Sequence, residues 1–151
     1  MTFFSKLFKI FKKKPVAVSK TFLTQEDMDR FARSGLFAAH HVIPLEFEDH
    51  PVVQLLSEHG RCDLYGVENQ LMLPIPQELA TKMRVSRYSA KPAPSYIEAA
   101  RQLLDDRWAS AASTAAQQGD MQALAQLAED FRAVGLTMKA ALIEGELFVA
   151  G

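Results

Sequence analysis

The chain has 151 residues, 48% of them apolar and 23% charged, with a formal net charge of −1. That is the size of one compact domain with a sizeable core, and a near-neutral balance excludes a protein that coats nucleic acid over its whole surface. The single cysteine, Cys62, excludes an internal disulfide and multi-cysteine zinc sites, and fits a reducing compartment.

The charge is distributed unevenly. Lys6, Lys9, Lys12, Lys13, Lys14 and Lys20 lie in the first twenty residues, which hold no acid, so the remainder is acidic. Within residues 1–14, Phe4, Leu7, Phe8 and Phe11 recur at helical spacing with lysines around the rest of the wheel, which predicts a basic amphipathic helix. It is too short and too charged to span a bilayer and lacks the pattern of a secretory signal. Three roles stay open for residues 3–14: peripheral contact with an anionic membrane, contact with nucleic-acid phosphates, or packing as a solvated edge helix. Residues 15–20 read as a linker, so the expected division is a basic segment and linker over 1–20 and one domain over 21–151.

Thr24, with Asp27 three residues on, predicts a capped helix that runs to about Ser34 and stops at Gly35. Then comes Ala39-His40-His41-Val42-Ile43-Pro44, a short strand carrying half of the protein's histidines. Neutral imidazole ligates zinc and similar ions, and its pKa lies near neutrality, so one ring can hold a metal while the other moves a proton. A hydrogen-bonded, inert pair is the plainer alternative. Neighbours on a strand point to opposite faces, so the two rings should not share one task.

A second helix is expected over 46–59, capped by Asp49 and stopped by Gly60, with Val52, Val53, Leu55 and Leu56 on its apolar side; His50 and His59 read as surface or capping residues. Asp63-Leu64-Tyr65-Gly66 predicts a turn. Residues 68–74 form the return strand of a hairpin and place Asn69 near the histidines, where its amide ties down the loop or offers an oxygen to a metal. Residues 76–93 read as an irregular loop carrying Lys82, Arg84, Arg87 and Lys91 beside Tyr88. Such a loop is either a solvated surface or a partner for a phosphodiester.

From Ser95 a helix is expected, with a stripe of Ile97, Ala100, Leu104 and Trp108 and with Tyr96 and Leu103 alongside, continuing through small residues to Gly119. Another starts at Met121, with Leu124, Leu127, Phe131 and Val134 inward and Gly135 as its terminator. The C-terminal third shows no chemistry-bearing motif.

Ala39-His40-His41, Pro44, Phe47, His50-Pro51, Leu55, Gly60, Asp63, Asn69 and Leu73-Pro74 together resemble the AHH family of the HNH/endonuclease VII nuclease superfamily, common as toxin domains in bacterial competition. The resemblance covers 35–74 and extends loosely to Tyr96. It implies an α+β fold, with a small ββα-metal hairpin-helix site embedded in a mostly helical domain. The implied activity is metal-dependent hydrolysis of DNA or RNA on one divalent ion, Mg²⁺, Mn²⁺ or Zn²⁺. His40 would ligate the ion, His41 would be the general base, Asn69 would orient the site or assist ligation, and Lys82, Arg84, Arg87 and Lys91 would meet phosphate. An immunity protein would be a partner, and the chain would act in the cytoplasm or in a target cell. One departure stands out. Family members carry further metal-ligating histidine after the Leu-Pro, whereas residues 87–96 here contain no His, Asp, Glu or Cys. His50, Asp63 or Tyr88 are the candidate replacements. The alternative the resemblance leaves is a weakened nuclease-fold protein that binds nucleic acid, a membrane surface or a partner protein.

Overall fold

The computed structural model describes residues 24–150, so the basic segment read over 1–20 lies outside the described residues. The fold is α+β: a two-stranded antiparallel sheet among helices. α1 (Gln25–Arg33) begins with the expected capping box, in which the Thr24 hydroxyl accepts from the Asp27 N–H and the Asp27 carboxylate accepts from the Thr24 N–H. Gly35, at φ +75°, turns the chain into β1 (Phe37–His41). A 3-10 turn (Leu45–Asp49) leads to α2 (Pro51–Glu58), and a second (Val67–Asn69) leads to β2 (Gln70–Pro74). Then follow α3 (Gln77–Met83), α4 (Pro94–Trp108), α5 (Ala111–Gln117) and α6 (Met121–Ile143). None of the described helices is long and apolar enough to cross a membrane.

The register pairs His40 with Leu71 and His41 with Gln70. With a side-chain period of two, Ala38, His40, Leu71 and Leu73 share one face, and Phe37, Ala39, His41 and Met72 the other. Leu71 and Leu73 join the main core with Tyr96 of α4 and with Leu124, Leu127, Phe131 and Val134 of α6. α1 covers the opposite face, where Phe31 meets Phe37 edge to face at 5.3 Å.

Several expected boundaries move. The cap of α2 is His50, whose Nδ1 accepts from the Val52 N–H, and not Asp49; with Pro51 at the first helical position, residues 45–49 are left as a separate 3-10 turn. Residues 76–93 are not all loop, since 77–83 form α3, closed by Arg84 in the left-handed region at φ 57°. The small-residue run after Trp108 breaks at Ala109, and Ser110 caps α5 by accepting from the Ser113 N–H. α4 buries Tyr96, Ala99, Ala100, Leu103 and Leu104, so its core stripe is rotated from the expected one and Ile97 and Trp108 sit only half-buried beside it. Gly135 does not end a helix: α6 runs through it to Ile143, because the apolar period continues in Val134, Met138, Ala141 and Leu142.

The chain between α3 and α4 is held as an arch. Tyr88 N–H donates to Pro74 O at 2.7 Å, and the C-terminal tail grips both feet: Val149 N–H donates to Ser86 Oγ at 2.9 Å, and Ala93 N–H donates to Val149 O at 2.8 Å. The tail can approach because Gly145 has no side chain; a Cβ there would stand 2.1 Å from Arg84 O. The arch is bonded to the sheet at Pro74, opposite Phe37, and its residues Tyr88, Ser89, Ala90 and Pro92 border a cavity with Ala39, His40 and His41.

Candidate functional site

His40 sits 3% exposed on the core face of β1. Tyr96 Oη donates its only proton to Val42 O at 2.6 Å, so the contact between His40 Nε2 and Tyr96 Oη, at 3.0 Å, is donated by the imidazole. This fixes the tautomer of His40, with hydrogen on Nε2 and the lone pair on Nδ1. Burial and the charge of His41 push His40 down to about 4, leaving it neutral at pH 7. Burial also raises the Tyr96 phenol far above its ordinary range, so it remains a donor.

Asn69 ties the loop after β1 to the turn before β2. Its Oδ1 accepts from the Ile43 N–H at 2.8 Å, and its Nδ2 donates to Ile43 O and Leu64 O, each at 2.9 Å. Both amide protons and one oxygen lone pair are thus engaged by backbone, in a side chain 9% exposed. Of the two roles open to Asn69, tying down the loop is the one its contacts carry out.

His41 differs from both. It is half-buried, makes no hydrogen bond among the described residues, and partial burial lowers its pKa, so the neutral form dominates at pH 7. It borders a cavity of about 240 Å³, lined also by Ala39, His40, Pro44, Glu46, Tyr88 and Ser89. Asn69 instead borders a larger cavity of about 540 Å³ between the 60–69 loop and α6, which neither imidazole reaches. The smaller cavity gathers both imidazoles; the larger is lined by apolar residues such as Ile43, Leu64 and Phe131 together with Arg61, Cys62, Glu68 and Arg132, and it brings Asp63 and Asn69 to one wall.

The other expected site residues divide. Tyr88 lines the His41 cavity, and exposed Arg87 and Lys91 flank its lining residues along the arch. Lys82 and Arg84 do not line it: Lys82 pairs with Glu78 at 3.6 Å on α3, and Arg84 caps that helix. His50 and Asp63 do not line it either. His50 Nε2–H donates to Asp105 at 2.7 Å while its Nδ1 caps α2, and Asp63 accepts the Tyr65 N–H at 3.0 Å. His59 Nδ1–H donates to Leu55 O at 3.0 Å within α2 and its cap.

Glu46 and Ser89 line the cavity unforeseen. Glu46 stands just past Pro44 in sequence, but a helix expected there has its faces set by apolar spacing, which gives no sign of the cavity. Lys139 was also missed. It is 1% exposed, its Nζ donates to Glu68 O at 2.8 Å, and burial, opposed by Glu68, lowers it to about 8. Its only sequence signal is a cation among the apolar residues of α6.

Among the described residues, those that would hold the implied ion at the small cavity are His40 through Nδ1, His41 and Glu46, while the Asn69 oxygen already accepts a backbone proton and borders the other cavity. Metal sites use three or more protein ligands, or a protein pair completed by substrate. Residues 1–23 hold no His, Cys, Asp or Glu, so they add no such ligand. Comparison with protein-family models, with curated proteins and with solved structures returned no match to this chain.

Proposed function

We propose that this chain is a nucleic-acid-binding domain on a scaffold like that of the AHH-type nucleases, and that it takes phosphodiester at the His41 cavity without a protein-built metal centre. The observation that carries this reading is the division of labour among the three marked residues. His40 and His41 both line the cavity, but His40 is tied to Tyr96 and Asn69 to Ile43 and Leu64, while the His41 ring has no hydrogen-bond partner among the described residues. Tyr88 offers a hydroxyl to a phosphate oxygen from the arch, whereas Ser89 donates its proton to Lys91 O at 2.8 Å, and exposed Arg87 and Lys91 add positive charge along the same segment. Neutral His41 accepts a proton from a sugar hydroxyl or water, or donates one to a phosphate oxygen, according to its tautomer.

Metal-dependent hydrolysis of DNA or RNA is the second reading, favoured by Glu46, which brings a carboxylate to the cavity of both imidazoles. The toxin role and immunity partner rest on the sequence resemblance alone. One experiment separates the readings: binding and integrity of labelled RNA and DNA are followed across a salt series, with Mg²⁺, Mn²⁺, Zn²⁺ or chelator, beside His41→Ala. The proposal expects binding that weakens steeply with salt, falls about tenfold in His41→Ala, and leaves the strand intact under every metal. Metal-dependent cleavage lost in His41→Ala would establish the hydrolase instead, and no binding to either polymer would overturn both readings.

A further inference from the structure

The larger cavity, about 540 Å³ between the 60–69 loop and α6, has no part in the nucleic-acid reading, since neither imidazole borders it. Gly135 lines it from the interior of α6. Glycine at such a position weakens a helix relative to any residue except proline, so its presence calls for a reason. At Gly145 the reason is close backbone approach, because a Cβ would stand 2.1 Å from Arg84 O. At Gly135 that reason fails: a Cβ would meet only Ile43 Cδ1, at 3.9 Å, an ordinary contact. What the missing side chain leaves is room in the cavity, where a close-packed interior would place apolar atoms.

The room has the size of a ligand site, within the roughly 300–1,000 Å³ of small-molecule pockets, and it combines apolar Ile43, Leu64, Phe131 and Leu136 with charged groups. Most of those charges are engaged. Arg132 pairs with Glu68 at 3.2 Å, and Asp63 accepts the Tyr65 N–H at 3.0 Å, which closes its own turn. Lys139 adds a further cation at the turn carrying Glu68, where its Nζ donates to Glu68 O at 2.8 Å. With Lys139 included, Arg61, Arg132 and Lys139 stand against only Asp63 and Glu68. Arg61 is exposed and its guanidinium has no hydrogen bond or ion pair among the described residues.

We propose that this cavity binds a small organic carboxylate with an apolar body, the body lying against Phe131, Leu64 and Ile43 in the space that Gly135 leaves and the carboxylate meeting Arg61. Burial of the body supplies affinity, and the guanidinium orients it by a charge-assisted pair. A cation of the same shape would enter against the excess positive charge, and a neutral analogue would leave Arg61 unmatched.

The test titrates the full chain with octanoate, octanol or octylamine while the methyl NMR signals of Ile43, Leu64 and Leu136 are followed, beside Arg61→Gln and Gly135→Leu. Octanoate is expected to shift these signals as a single saturable site, with octanol about tenfold weaker and octylamine weaker still. Arg61→Gln should bring octanoate down to the affinity of octanol and leave octanol unchanged. Gly135→Leu should fill the space and lose all three probes. Because Arg61 is exposed, its variant reads the contact even where the leucine cannot be seated. Unshifted cavity methyls, octanol or octylamine binding as tightly as octanoate, or unchanged octanoate binding in Arg61→Gln or in a folded Gly135→Leu would each overturn the proposal.

Discussion

On the core side of the hairpin, His40 and Asn69 meet groups that engage them. Tyr96 and Val42 form a relay with His40, and Ile43 and Leu64 hold the Asn69 amide. At the rim, His41 stands over a cavity with Tyr88, Ser89 and Glu46 and has no such partner among the described residues. Residues that read as one constellation in sequence therefore have two kinds of work: a buried polar group must be bonded, so its contacts fix the backbone, and only the ring left at the water boundary is free to meet a ligand.

The comparison breaks most severely at Asn69. Asn69→Ala removes three hydrogen bonds and strands buried Ile43 and Leu64 backbone groups, so stability to urea should fall by about 3 kcal/mol. An effect within a few tenths of a kcal/mol would mean the knot carries no load.

His40 sharpens the contrast through pH. Its folded pKa of about 4 lies below the ordinary 6.5, so between these values the unfolded chain binds more protons than the folded one. The stability is present in full above 6.5 and is lost as pH falls through the window toward 4. The depression corresponds to about 3 kcal/mol at most, and His41, shifted in the same direction, adds to the slope. Denaturation midpoints measured from pH 7.5 to 4.5 should decline steadily, and a flat profile would contradict a buried neutral His40.

Much of the fold was legible because local chemistry and tertiary packing agree there. Thr24 with Asp27, Gly35, and the stripe of Leu124, Leu127, Phe131 and Val134 each act as their residue types dictate. The misreadings come from places where packing outweighs local preference. Gly135 resembles a helix terminator, yet the core contacts of Met138, Ala141 and Leu142 carry α6 past it. Residues 76–93 look irregular because proline and charge dominate, and what orders them is distant: the tail through Val149 and the end of β2 through Pro74. The His pair and Asn69 stood out in the sequence, but their division of labour did not, because it depends on Tyr96 reaching across from α4.

The smallest expected effect lies at Gly135. A Cβ there would meet only Ile43 Cδ1, at 3.9 Å, so Gly135→Ala should raise stability by about 1 kcal/mol through helix propensity. Thermal denaturation checks it; destabilisation would show that α6 needs close backbone approach at this turn.

The central claim, that one imidazole is locked and the other open, is tested most directly by nitrogen-15 NMR of the histidine rings across a pH titration. The account predicts that His40 shows hydrogen on Nε2 and stays neutral down to about pH 5, while His41 titrates as a solvent-reached ring somewhat below the ordinary imidazole value. A His40 that titrates near 6.5, or that carries its hydrogen on Nδ1, would contradict the Tyr96 relay and return both histidines to the same role.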